Sequence, residues 1–141
     1  MSAQDTDLAR RAWRSMWDVV LDHDRKVAVS EALGVSWARV RALQRLAVRP
    51  RTLSELAEQL AADRPYATLI VDGLEELGLV ARTPHPEDRR AKLVALTAAG
   101  RAAVARADAI LGEPPAALYD VPAEDLEAVL RVLERLADSE R

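Results

Sequence analysis

The chain has little sulfur and few aromatic rings: among its 141 residues there is no Cys and no Phe, with three Trp and two Tyr. The lack of Cys excludes a disulfide framework, a thiol-based oxidant sensor and a metal site with thiolate ligands. Because large rings are scarce, a packed core requires aliphatic side chains that several helices share.

Features of enzymes and membrane proteins are also missing. The sequence has no glycine-rich phosphate loop and no nucleophile in an elbow motif, and its two histidines, His23 and His85, lie far apart. It has no signal peptide and no apolar run near twenty residues. These absences predict a soluble, cytoplasmic protein that is not an enzyme and holds neither a cofactor nor a metal ion.

Two short amphipathic helices are predicted in the middle of the chain. Residues 52–55, Thr-Leu-Ser-Glu, have the form of a capping box and begin a helix from Leu53 to about Ala61. Asp63 is suited to be the N-cap of a second helix, with Pro65 in its first turn and Gly78 at its end. Two helices that meet across so few residues are typical of a helix-turn-helix.

The second helix is predicted to present a DNA-contacting face. A rotation of about 100° per residue places Pro65, Thr68 and Leu69 opposite the buried stripe, with Arg64 on the flank. Exposed residues near the start of such a helix reach base edges in helix-turn-helix proteins. Tyr66 falls at the edge of the buried face and is predicted to pack there. For Leu69, packing against another helix is the alternative.

A cationic hairpin is predicted after the second helix. Residues 79–82 and 92–95 form its strands, and the turn-rich segment 83–88 leads to the tip. The predicted DNA contacts of this hairpin are Asp88, Arg89, Arg90 and Lys92. A thin projection with several cations can enter a groove between phosphates. An ordinary solvated loop is the alternative.

Charge is distributed unevenly along the chain, whose formal net charge is −3. Residues 34–100 carry ten Lys or Arg against eight Asp or Glu, whereas residues 101–141 carry five against nine. Most arginines of segment 39–51 are interpreted as solvated or as contacts to a DNA backbone. An acidic protein can bind DNA when its cations are localised in this way.

Four motifs in order resemble the MarR family of winged helix-turn-helix regulators. Residues 34–43 are similar to the family's G-L-T-P-x-Q-W-R-V-L, and residues 52–60 to its T-x-x-E-L-A-x-x-L. Residues 72–80 resemble the end of its recognition helix, and residues 88–100 its D-x-R-x-x-x-x-x-L-T-x-x-G signature. The resemblance implies a mainly α fold with a small β wing.

The same resemblance implies how the chain is organised. Residues 1–141 are expected to form a single domain, in which a winged helix-turn-helix lobe at 34–100 lies between dimerisation helices at 1–33 and 101–141. Two residues depart from the family pattern. Leu69 stands where members usually carry Arg or another polar group, and Gly73 interrupts the recognition helix at a cost of about 1 kcal/mol relative to Ala.

Apolar stripes at both ends of the chain predict a homodimer. The first helix is predicted from about Asp7 to Leu33, and its stripe is too long for its own small domain to cover. The members of this stripe are Leu8, Ala12, Trp13, Met16, Trp17, Val20 and Val27. A second stripe consists of Leu126, Val129, Leu130, Leu133 and Leu136. The resemblance implies the same homodimer.

The functional expectation is a transcription regulator on double-stranded DNA. The resemblance implies a repressor that binds a pseudo-palindromic operator and is released by a small aromatic or anionic ligand. The candidate residues for a ligand pocket are Trp13, Trp17, Trp37 and Arg39, although Trp13 and Trp17 suit a dimer core equally well. The alternative is a protein-interaction module that docks a protein partner instead of DNA.

Overall fold

Helices make up most of the protein, as the computed structural model of residues 1–140 shows. The helices are α1 (Ala3–Asp22), α2 (Lys26–Leu33), α3 (Trp37–Val48), α4 (Leu53–Gln59), α5 (Arg64–Glu76), α6 (Ala98–Leu111) and α7 (Ala123–Ser139). A 3-10 turn spans Ala116–Asp120, and the strands are β1 (Arg51–Thr52), β2 (Val80–Pro84) and β3 (Lys92–Leu96). The predicted fold class, mainly α with a small β wing, is confirmed.

The single first helix predicted from about Asp7 to Leu33 is wrong, because the chain breaks between α1 and α2. Asp24 Oδ1 accepts a hydrogen bond from the backbone N–H of Lys26 at 2.9 Å. Such an Asx-type bond competes with helical hydrogen bonding. His23 lies in the break, where its Nε2 is 2.9 Å from the carbonyl oxygen of Glu113. The break therefore brings the end of α1 beside the segment that follows α6.

The sheet has three antiparallel strands in the order β1-β3-β2, where a two-stranded hairpin was predicted. Arg51 of β1 pairs with Val94 of β3. Its side chain is buried, with 6% of its surface exposed, and Nε donates to the carbonyl oxygen of Arg45 at 3.1 Å. Arg51 is therefore not one of the solvated or DNA-contacting arginines. Two residues are too few to show a strand periodicity in sequence.

The predicted helix ends are confirmed in their local chemistry. Thr52 Oγ1 accepts from the backbone N–H of Glu55 at 3.2 Å, and Asp63 Oδ1 accepts from that of Tyr66 at 2.8 Å. Gly78 follows α5 with a φ of +74°, a conformation that costs glycine little because it has no Cβ. These caps set where α4 begins and where α5 begins and ends.

The core lies between α3, α4, α5, α6 and the sheet. Its largest fully buried side chains are Leu43, Leu56, Leu74, Val71 and Val94 and, in a second cluster with α2, Val29 and Val40. Helices α2 and α6, which the predicted boundaries assign to the dimerisation segments, both contribute buried residues to this core. In contrast, α1 and α7 have no buried residue. Within residues 1–140, no helix is both long and apolar enough to cross a membrane.

Candidate nucleic-acid interface

The outer face of α5 is accessible, as the helix rotation predicted. Leu69 keeps 64% of its surface exposed, which excludes its packing against another helix of the same chain. Arg64 and Pro65 are exposed as well, and Thr68 is half-buried. Tyr66 is 49% exposed, so about half of its surface is covered at the edge of the buried face. The first two turns of α5 therefore present both aromatic and aliphatic surface.

One flank of α5 is tied to the wing by Arg82 of β2. Arg82 Nη2 lies 2.6 Å from Asp72 Oδ1, and Nη1 lies 2.8 Å from Glu75 Oε1. The Arg82 side chain is 22% exposed, less than either carboxylate. This arginine neutralises the two acidic groups on the wing side of the recognition helix. Arg82 was not among the predicted site residues, and the signal that could have identified it is a cation in a predicted strand that follows an acidic helix end.

The tip of the wing is an ordered turn rather than an unstructured loop. Asp88 Oδ1 accepts from the backbone N–H of Arg90 at 3.0 Å, and the Asp88 carbonyl accepts from Ala91 at 3.1 Å. His85 Nδ1 accepts from the backbone N–H of Glu87 at 3.0 Å. Asp88 thus fixes the backbone of Arg90, while the Arg90 guanidinium forms no ion pair with residues 1–140.

A cationic cleft of about 350 Å³ lies between the wing and the starts of α4 and α5. Its lining residues are Thr52, Leu53, Ser54, Arg64, Arg82, Arg90, Ala91, Lys92 and Val94. The structure thus brings together three of the predicted DNA-contacting cations, Arg64, Arg90 and Lys92, while Arg89 lies outside this lining. The amide dipoles at the helix starts add a further attraction for phosphate.

The acidic residue at the start of α4 is also neutralised. Arg49 Nη2 lies 2.7 Å from Glu55 Oε2, and this hydrogen bond lowers the pKa of the Glu55 carboxyl. Both side chains remain substantially exposed. The first turn of α4 is therefore held by a charge pair as well as by its Thr52 cap.

Gly73 makes room for Arg39, a residue that sequence analysis placed in a ligand pocket. A Cβ added at Gly73 would lie only 2.6 Å from Cζ of Arg39. The guanidinium thus lies against α5 at Gly73. Packing therefore explains the presence of a glycine that weakens the helix, because any side chain at position 73 would displace Arg39.

The candidate pocket residues lie in different surroundings. Trp13 and Trp17 form a tilted ring pair with centroids 6.3 Å apart, and they line an open groove of about 520 Å³ together with Arg14, Asp18 and Leu21. Trp37 packs against the second core cluster, and its ring lies 5.7 Å from the Lys26 ammonium. Neither Trp37 nor Arg39 lines the groove of Trp13 and Trp17 within one chain. Across residues 1–140, no group of three His, Cys, Asp or Glu side chains is arranged to hold a metal ion.

The helix pair α4–α5, supported by α3 and followed by the β2–β3 wing, defines a winged helix-turn-helix protein. A family model described as the MarR family matches residues 35–92, from the residues before α3 to the first residue of β3. The match spans the helix-turn-helix and the first part of the wing, and over these residues the chain is similar to the MarR family.

Solved structures of similar fold cover most of the chain. Transcriptional regulator Tm0710 from Thermotoga maritima is 24% identical, with a TM-score of 0.73, over 95% of this chain and 94% of that one. Wild-type MarR from E. coli in its apo form is 25% identical, with a TM-score of 0.67, over 87% and 93%. A MepR mutant from S. aureus bound to an oligodeoxyribonucleotide is 22% identical, with a TM-score of 0.63, over 96% and 97%.

Proposed function

We propose that this protein is a sequence-specific DNA-binding transcription regulator that acts in the cytoplasm as a homodimer. The observation that carries the proposal is the cationic cleft beside the exposed face of α5, which combines Arg64, Arg90 and Lys92 with two helix starts. The similarity of residues 35–92 to the MarR family supports a regulator rather than an enzyme. The fold shared with the DNA-bound MepR mutant supports the choice of DNA as the partner.

Each part of the interface has a distinct role in the proposed complex. The first turns of α5 enter the major groove, where Arg64, Pro65, Thr68 and Leu69 meet base edges. The wing reaches the adjacent minor groove, where Arg89, Arg90 and Lys92 neutralise phosphates and Asp88 holds the turn. Two copies place their recognition helices about one helical turn of DNA apart. The operator is therefore pseudo-palindromic.

Repression and its release complete the proposal. A dimer that covers an operator blocks transcription, and a small aromatic or anionic effector changes the spacing of the two lobes. The groove of Trp13 and Trp17 supplies aromatic surface together with the cation of Arg14. Trp37 and Arg39 contribute to such a site only if the second chain brings them near that groove.

Selection of binding sites from random oligonucleotides tests the proposal directly. We expect the purified protein to enrich a motif with two-fold symmetry and to leave the DNA at a few hundred millimolar salt, because binding releases counterions from phosphates. A protein that enriches no motif and is not retained on DNA at low salt contradicts the proposal. That result supports the alternative of a winged helix that docks a protein partner.

A further inference from the structure

The exposed side of α5 offers few hydrogen-bond donors for reading bases. Thr68 Oγ1 donates to the carbonyl oxygen of Arg64 at 2.9 Å, so its only donor is already used within the helix. The carboxylates of Asp72 and Glu75 are bound by Arg82. Arg64 lines the cleft toward the wing. Apart from the Tyr66 hydroxyl, the polar groups on this side of the helix are thus engaged or directed toward the cleft.

The exposed surface at the centre of the first two turns of α5 is an apolar patch. Leu69 is 64% exposed and Tyr66 49% exposed, and Pro65 is exposed beside them. Leu69 follows Pro65 by four positions and Tyr66 by three, a spacing that makes the three side chains neighbours on the helix surface. The patch lies directly beside the cationic cleft, which suits a phosphate backbone and not an apolar protein surface.

The four bases present different chemistry to such a patch. In the major groove guanine offers two acceptors that suit Arg or Lys, adenine suits Asn or Gln, and cytosine offers a donor that suits a free carboxylate. Thymine presents a C5-methyl group, which suits an apolar side chain. The patch contains no Arg, Lys, Asn or Gln, and the nearby carboxylates are occupied by Arg82.

We propose that Leu69, flanked by Tyr66 and Pro65, reads the C5-methyl group of a thymine in each half-site of the operator. This inference rests on the proposed function and names the chemical feature that the recognition helix selects. Each half-site holds thymine at the position opposite Leu69, and the methyl group itself, rather than a hydrogen bond, carries the preference.

Replacement of thymine by uracil tests the inference, because uracil keeps the base pairing and the O4 acceptor and lacks only the methyl group. Operators obtained by selection are synthesised with uracil at one thymine position at a time, and their dissociation constants are measured. We expect the dissociation constant to rise about fourfold when uracil replaces the sensitive thymine of one half-site, because the burial of one methyl-sized group is lost. When both half-sites are changed, the rise is about fifteenfold. Uracil at the remaining thymine positions leaves binding unchanged.

Variants of the helix assign the effect to the residue. In the Leu69→Ala protein, uracil at the sensitive position no longer weakens binding. Leu77→Ala is the matched control, since Leu77 is also an exposed leucine but caps the far end of α5, and this variant keeps the uracil effect. Leu69→Arg shifts the selected base at this position toward guanine, because Arg donates to both guanine acceptors.

The outcomes separate the inference from the function on which it rests. Tight binding to a selected operator that is insensitive to uracil everywhere overturns the inference and leaves the proposed function standing. A uracil effect that persists in Leu69→Ala also overturns it, because another residue then reads the thymine. A protein that selects no DNA overturns both.

Discussion

The backbone of Arg90 is held by a hydrogen bond, whereas its guanidinium has no ion-pair partner among residues 1–140. Asp88 holds its N–H, and no carboxylate of residues 1–140 is paired with its guanidinium. Its neighbours in the cleft, Arg64 and Lys92, are cations of the same kind. In the proposed complex such a residue acts on DNA through charge and not through the shape of a base pair.

We therefore expect Arg90→Ala to weaken binding to every DNA sequence and to reduce the slope of log affinity against log salt by about one. The free energy of unfolding stays within about 0.5 kcal/mol of the parent, since the residue is exposed. Arg131→Ala is the control: it removes the same charge from the polar face of α7 and leaves the slope unchanged. An Arg90→Ala protein with the parental slope contradicts the assignment.

Gly73 and Arg39 form a second residue-scale unit. Glycine inside a helix costs about 1 kcal/mol relative to alanine, but here it leaves space for the Arg39 guanidinium. The atoms that an alanine Cβ would meet belong to the end of a flexible side chain, which can move aside.

A double-mutant cycle measures this coupling. In an Arg39→Ala background, Gly73→Ala should raise the free energy of unfolding by about 1 kcal/mol, the full helix-propensity gain. In the parent the gain should be smaller, because the guanidinium must leave its place. Urea denaturation of the four proteins gives the values, and equal gains in both backgrounds would show that Arg39 does not pack on Gly73.

At the scale of elements, Arg82 links the wing to the recognition helix. Its two carboxylate partners are about half exposed, and exposed ion pairs contribute at most about 1 kcal/mol to stability. The larger consequence is electrostatic, because loss of Arg82 leaves Asp72 and Glu75 as unneutralised charges beside the DNA-facing surface.

Arg82→Gln is therefore expected to lower DNA affinity clearly while changing the free energy of unfolding by less than about 1 kcal/mol. Adding Asp72→Asn to this variant should restore part of the affinity, because one repulsive charge is removed. Affinities measured at low salt, where screening is weak, show the effect best. If Asp72→Asn restores nothing, Arg82 contacts the DNA itself.

At the scale of the whole molecule, α1 and α7 lie outside the core that the other helices of residues 1–140 form. Neither has a buried residue, and both line an apolar groove of about 270 Å³. Trp13 and Trp17 are 61% and 55% exposed. Apolar surface of this extent marks an interaction site, and the proposed homodimer covers it.

Leu133→Arg tests that assembly, because Leu133 lines the groove between α1 and α7. A charge buried without a partner costs enough to raise the dimer dissociation constant by about tenfold or more. DNA affinity should fall with it, since a single half-site binds weakly. Glu127→Arg is the control, which places Arg on the polar face of the same helix. Sedimentation of the unmodified protein as a monomer at micromolar concentration contradicts the homodimer.

The sequence alone determined the elements whose cause is local. The caps at Thr52 and Asp63 and the stop at Gly78 depend on residues a few positions away, and all three are confirmed. The exposed position of Leu69 followed from helical periodicity, which needs no knowledge of the partner elements. The wing followed from turn-forming residues between two short strands.

Only the tertiary structure decided the contacts between distant segments. The pairing of Arg51 with Val94, the bonds from Arg82 to Asp72 and Glu75, and the place of Arg39 over Gly73 join parts of the chain that no local pattern relates. The contact of His23 with the carbonyl oxygen of Glu113 likewise joins the end of α1 to the segment after α6. Hydrophobic periodicity specifies which face of a helix is buried, but the energy of a specific contact is set by whichever side chain the fold brings there.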